Sequence, residues 1–309
     1  MNRQLLAAEF LATPWAMMPE RLNAFAAVMG RWSAGFGPTE ETLAKIEADR
    51  QLRTERKASL PTSGGSGIAV LPLYGVVTQR GNMVDDVSGP GSTSTQKFSS
   101  ALRQVLADES VGQILIDIDS PGGSVYGVAE LADEIYRARS QKPVIALANS
   151  LAASAAYWVG SAASEFYVTP GGEVGSIGVW QAHFDYSEAF ASEGVKPTLI
   201  SAGKYKVEGN PYAPLDEEAL GFMQSRVDEY YAAFTKAVAK GRGVSLSAVR
   251  DGMGQGRVLG ADTALEQRMV DGVMTFDELL RKMSRSAKKT SSASRLAQAR
   301  NSLALASAI

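Results

Sequence analysis

The sequence predicts an α/β fold with a mainly parallel sheet, and three observations predict it. Short apolar runs at 68–77, 112–118 and 144–148 have the length and Val/Ile content of buried strands. Helical patterns separate them: Phe98 to Leu106, then a stretch with Val128, Leu131, Ala132 and Ile135 on one face. This strand–helix alternation is the mark of βαβ units. The apolar fraction of 45% also supplies enough side chains for a sizeable core.

In chain order, residues 1–57 are expected to form a helical N-terminal extension. Leu5, Leu6, Phe10 and Leu11 form one apolar group, and Leu22, Phe25, Ala26 and Met29 follow the Pro19-Glu20 start at helical spacing. ASLPTSGGSG, residues 58–67, has the composition of a flexible linker. The main domain is expected over 68–283. Its strand Val144 to Ala148 turns at Asn149-Ser150 into an Ala-rich helix carrying Ser154 in its first turn. Further strands are expected at Phe166 to Thr169, Ile177 to Trp180 and Pro197 to Ile200, with a helix at Asp185 to Ser192. A long helix is expected from Asp216 to Lys240. Its stripe of Leu220, Met223, Val227, Tyr231, Phe234 and Val238 has the spacing of a core face, and less often of a subunit contact. After Leu280 the chain has seven basic residues and no acidic one. Rich in Ser and Ala, residues 284–309 are expected to be a disordered basic tail.

Composition excludes several functions. With 31 basic and 33 acidic residues the net charge is −2, so bulk charge gives no case for nucleic acid or an anionic membrane as partner. The chain has no cysteine, which excludes disulfides, thiolate catalysis and Cys-ligated zinc. Its one histidine is His183. Glu9 interrupts the apolar N-terminal stretch, against a signal peptide. The charge-free run 143–164 is long enough for a membrane span, but Asn149, four serines and Gly160 favour a buried strand-turn-helix and a soluble protein.

Two turns carry the candidate chemistry. Ser154 lies where a strand hands over to a helix, near free backbone N–H groups and the positive end of the helix dipole. That suits a nucleophile whose attack creates an oxyanion. Asp119-Ser120-Pro121-Gly122-Gly123-Ser124 is a second strand-to-helix turn. Its glycines let backbone N–H groups approach a negative oxygen, and the turn matches neither a phosphate-binding nor a dinucleotide-binding motif. The amides of Gly122, Gly123 and Ala155 are expected to converge on one oxyanion. The base is open on composition. His183 ends a strand pattern, whereas Lys204 and Lys206 share a loop with Tyr205, Val207, Pro211 and Tyr212. A lysine base must be neutral, and moving its pKa from about 10.4 to near 7 corresponds to roughly 4.6 kcal/mol, a shift that burial can supply.

Four motifs in order, ILIDIDSPGGSV, LANSLAASAAYWVGSAAS, VGSIGV and GKYKVEGNPY, resemble the signal-peptide-peptidase-A family of Ser-Lys serine peptidases. GIAVLP, the AH of QAHFDYS and KVEGNPY are closest to its phage branch, the head-maturation (capsid) proteases of lambda-like phages. The resemblance covers about residues 67–280. It implies a Clp protease/crotonase-like core built of ββα units, with Ser154 as nucleophile and Lys206, not Lys204, as general base. It implies Ser176 as the residue that positions the lysine, and Gly122, Gly123 and Ala155 as the oxyanion hole. Many relatives have glycine where this chain has Ala155, and alanine keeps the N–H. No cofactor or metal is implied. The implied substrates are phage scaffold and portal proteins and the chain's own termini. The implied assembly is a homo-oligomer, in the bacterial host cytoplasm or the procapsid. Three other readings share these residues: a crotonase-like acyl-CoA thioester enzyme, a peptidase with His183 as base, and a catalytically inactive capsid assembly factor.

Overall fold

A computed structural model describes residues 13–19, 67–80 and 92–286. The helical groups expected within 1–12 and 20–57, most of the 58–67 linker, and the tail from 287 lie outside the described residues. Within the N-terminal stretch one short piece is described, residues 13–19, and of these only Pro19, where a helix start was expected, is helical. Trp15–Met17 is a strand, β1, fully buried. Its apolar WAM tripeptide is held extended by pairing with Gly122–Ser124 on one edge and with Trp180 on the other.

The main sheet is the parallel sheet expected. Its strands are β2 (Ile68–Tyr74), β5 (Gln113–Ser120), β7 (Val144–Ala153), β8 (Glu165–Val168), β9 (Glu173–Gly175), β10 (Val258–Gly260) and β11 (Gly272–Val273). The order β10-β9-β7-β5-β2 carries β8 and β11 as a branch from β7. Every pairing in it is parallel except β9 with β10. A smaller sheet, β1-β6-β3-β4, adds β3 (Val76–Thr78), β4 (Ser92–Ser94) and β6 (Gly122–Ser124). Gly75 at φ 68 and Pro121 are where β2 and β5 leave the main sheet for the smaller one.

The helices α1 (Thr95–Ala107), α2 (Val128–Ala138) and α3 (Ala155–Ser161) pack with the sheet into one large core. Ser94 caps α1 by accepting from the Lys97 amide at 3.3 Å. The chain continues through α4 (Ser187–Ser192), α5 (Glu217–Arg242), α6 (Leu246–Asp251) and α7 (Ala261–Glu266), and ends in a helix over 276–286. α3 is buried along its whole length. Trp158 stacks on Phe234 of α5, centroids 4.6 Å apart and planes at 6°, and the Tyr157 hydroxyl donates to the Met269 carbonyl at 2.9 Å. Arg242, at the end of α5, makes two 2.8 Å bonds to Asp271, whose Oδ2 also accepts from the Phe166 amide. Burial pushes Asp271 up, but the bonds from Arg242 and the Phe166 amide outweigh it and hold the carboxyl below its ordinary value.

Four expectations change. The strand expected at Ile177 to Trp180 does not form: the strand lies earlier, at β9, and of the expected residues only Trp180 pairs, in an isolated bridge to Trp15. The strand expected to stop at Ala148 runs to Ala153. It shifts register against β5 after Ile118, a bulge that lets it leave β8 and pair with β9. The 197–200 segment is exposed and forms no strand, because no neighbouring strand offers it a ladder. The α5 stripe is core only in its second half: Phe234 and Val238 are buried, whereas Leu220 is 55% exposed.

Candidate active site

The bulge in β7 brings Ser154 to the end of the strand, as the N-cap residue of α3 rather than inside its first turn. Its backbone has φ 54 and ψ −117, a region a residue with a side chain adopts only when its surroundings impose it. Two hydrogen bonds fix the elbow: the Ser154 amide donates to the Gly175 carbonyl at 2.7 Å, and the Trp158 amide donates to the Ser154 carbonyl at 2.9 Å. Ser154 is 1% exposed, and its Oγ donates to the Gly178 carbonyl at 3.4 Å. Ala155 is the first helical residue, where a backbone N–H has no intrahelical acceptor.

The glycine turn lies against this elbow. A Cβ built on Gly122 (φ 96) would stand 2.9 Å from the Ser154 Cβ, and one on Gly123 would stand 1.9 Å from the Val77 carbonyl oxygen. Only glycine fits either position, which is what a close backbone approach requires. The Ser120 hydroxyl steadies the turn, donating to the Gly75 carbonyl at 2.6 Å and accepting from the Gly122 amide at 3.2 Å. Ser176 sits one residue beyond Gly175, is 6% exposed, has φ 53, and donates its amide to Arg257 at 2.7 Å. The structure therefore brings Ser154, Ala155, Gly122, Gly123 and Ser176 to one place.

The lysine loop is not brought there. Lys206 is exposed, its amide bonds the Gly203 carbonyl at 3.1 Å, and no hydrogen bond joins its side chain to Ser154 or Ser176. The dry lysine pocket expected from the apolar character of the loop is absent from the single chain. Lys204 is engaged elsewhere, donating to Glu218 at 2.7 Å and to the Tyr205 hydroxyl at 2.9 Å. Those two bonds, the Glu218 one first, hold Lys204 above the ordinary lysine value, opposite to what a base needs. His183 is half-buried, with Nε2 3.0 Å from the Asn210 carbonyl, which ties it to the GNPY turn rather than to Ser154.

Sequence reasoning missed two parts of the site. Trp180 closes one side, its indole donating to the Met17 carbonyl at 3.0 Å, and β1 lies along the glycine turn. Neither had a local signal, because each matters only through a partner more than a hundred residues away.

A model of peptidase family S49 matches residues 136–290. The chain is 42% identical over 184 residues to the head-tail preconnector protein of Enterobacteria phage P21, covering 60% of this chain and 36% of that one. It is 41% identical over 186 residues to the capsid assembly protease of Escherichia phage lambda, covering 60% of this chain and 42% of that one. A putative protease of Methanocaldococcus jannaschii is 30% identical over 220 residues, covering 71% of this chain and 70% of that one. The chain thus spans about two fifths of the two phage relatives and most of the archaeal one. Half of the chain matches the family model, and its strained serine faces a glycine turn: the chain belongs to peptidase family S49.

Proposed function

We propose that this chain is a serine endopeptidase working through a Ser154–Lys206 dyad. The Ser154 elbow carries the reading: a buried serine at positive φ, pressed against a glycine turn, at the foot of a helix. Neutral Lys206 takes the Ser154 proton as Oγ attacks a peptide carbonyl carbon. The tetrahedral oxyanion accepts hydrogen bonds from the Ala155 amide and the Gly122–Gly123 turn. The Gly122 amide exchanges its 3.2 Å bond to Ser120 for the oxyanion, and the Ser120 hydroxyl keeps Gly75 as acceptor. Collapse expels the amine, which takes the proton from Lys206. Water then attacks the acyl-serine, giving a proton to Lys206, and the released Ser154 oxygen recovers it. Ser176 orients the lysine amine.

Lys206 rides on an arm, 181–215, with Val195, Leu199, Ile200 and Tyr205 exposed. Ile200 is 96% exposed, and an apolar surface of this kind favours a second copy of the chain as cover. In this reading self-association covers the arm and takes the Lys206 amine out of water, so the active species is a homo-oligomer. The phage relatives carry the names capsid assembly protease and head-tail preconnector protein. Those names support substrates among the proteins of capsid assembly, and within that class this reading takes procapsid scaffold and portal proteins, with the chain's own termini. They also support action in the host cytoplasm or procapsid. The test is incubation of wild type and Ser154→Ala with co-expressed scaffold and capsid proteins. Cleavage by the wild type alone is expected, and equal cleavage by both would refute the assignment. Covalent labelling of Ser154 by a serine-reactive probe separates this reading from an inactive assembly factor.

A further inference from the structure

The groove beside Ser154 holds a strand of the chain itself. β1 runs antiparallel to β6, with Trp15 opposite Ser124, Ala16 opposite Gly123 and Met17 opposite Gly122. On its other edge Trp15 exchanges both backbone hydrogen bonds with Trp180, at 2.8 and 3.0 Å. The Trp180 indole holds the Met17 carbonyl at 3.0 Å, and the Met18 amide donates to the Pro121 carbonyl at 3.2 Å. Backbone therefore grips this tripeptide on both sides, and it is 3%, 0% and 1% exposed along its length. It also reaches the nucleophile. The point 2.9 Å from the Ser154 Cβ where a Gly122 Cβ would stand is 2.3 Å from the Ala16 carbonyl oxygen.

Strand addition between two edges is a way of binding any extended peptide, with affinity from the main chain. A groove of this kind, running past Ser154, fits the substrate of an endopeptidase, and an internal strand seated in it competes with that substrate. We propose that Trp15–Met17 occupies the site built for the substrate strand, so that the single chain blocks itself until β1 is displaced. This rests on Ser154 being the nucleophile for its meaning, but not for its test. The groove then takes peptide in one direction, with the N-terminal side beside Ser124 and the C-terminal side passing Gly122 toward Pro121. It presents the Trp180 ring as one wall.

The experiment uses the full chain in a Ser154→Ala background, where nothing is cut and catalysis is not read. A fluorescein-labelled peptide with the sequence of residues 13–19, Thr-Pro-Trp-Ala-Met-Met-Pro, is titrated and followed by anisotropy. The parent is compared with Trp15→Ala/Met17→Ala and with Met18→Pro, which removes only the amide bonded to Pro121. At least tenfold tighter binding by a loosened chain is expected. Hydrogen exchange is then expected to slow at the Gly123 and Trp180 amides when peptide is added, because Ala16 faces Gly123 and Trp15 faces Trp180. Folded variants that bind the peptide no better than the parent would overturn the proposal. So would loss of the folded state in both variants, since β1 would then be a permanent strand of the smaller sheet. Failure of the Ser154 assignment leaves this binding result unchanged and shows instead in the cleavage and probe-labelling assays.

Discussion

The two halves of the proposed dyad sit in opposite surroundings. Around Ser154 the neighbours are buried except for the half-buried Gly178: α3 is enclosed along its length, the glycine turn lies against the elbow, and backbone hydrogen bonds to Gly175 and from Trp158 hold it. Around Lys206 the chain is exposed from 191 to 206, and the hydrogen bonds of the arm are mostly internal, such as Tyr186 to Pro211 and Asn210 to Val207. The first region derives its geometry from the main sheet, through a bulge and a strand switch. The second has no sheet beneath it. A single chain can therefore build the proposed nucleophile and oxyanion turn outright, while the proposed base depends on whatever packs against the arm.

The contrast can be broken from the core side first. Ser154→Ala is expected to reduce peptide hydrolysis by about 10⁴-fold or more, measured as initial rates, with the fold unchanged. Gly123→Ala puts a methyl 1.9 Å from the Val77 carbonyl, so the turn must move. Activity is expected to fall by about 10²–10³-fold, together with a lower Tm. Phe234→Ala removes the ring stacked on Trp158, and urea unfolding is expected to show a loss of about 3–5 kcal/mol. Arg242→Ala leaves Asp271 without its partner, at roughly 2–4 kcal/mol, discounted because the Asp271 side chain is 38% exposed. The sign of its pH dependence follows from the depressed Asp271 value. The pair's contribution is present above the unfolded aspartate value of about 3.9 and is lost as pH falls through the lower folded value. The stability difference between wild type and Arg242→Ala should therefore shrink as pH falls below the unfolded aspartate value of about 3.9. On the arm, Ile200→Ser is expected to change stability by under about 0.5 kcal/mol. The same variant should weaken self-association, read by sedimentation. A large loss of stability there would mean that the arm packs inward and the contrast is false.

Much of the core half was legible in the chain alone. The parallel sheet, the SPGGS turn and the serine at a strand-to-helix junction all follow from local pattern, because apolar runs and glycine turns report burial directly. The bulge that extends β7 to Ala153 was not, since Asn149-Ser150 looks like a turn and the pairing with β9 that keeps it extended is a tertiary choice. The arm was legible least. Val195, Thr198 and Ile200 have strand propensity, but propensity without a partner edge makes no strand. The α5 stripe likewise promised core for Leu220, and helical periodicity cannot say which turns find a neighbour. β1 escaped notice because three apolar residues between prolines carry no signal until the groove they enter is known.

One comparison bears most directly on the account: initial rates of peptide cleavage, against pH, for wild type, Lys204→Ala and Lys206→Ala at a concentration where the protein self-associates. The account predicts that Lys204→Ala stays within a few-fold of wild type, because that amine is held charged by Glu218. It predicts that Lys206→Ala loses about 10²–10⁴-fold, and that wild-type activity rises with pH, as general-base catalysis requires. Near-wild-type cleavage by Lys206→Ala would contradict it.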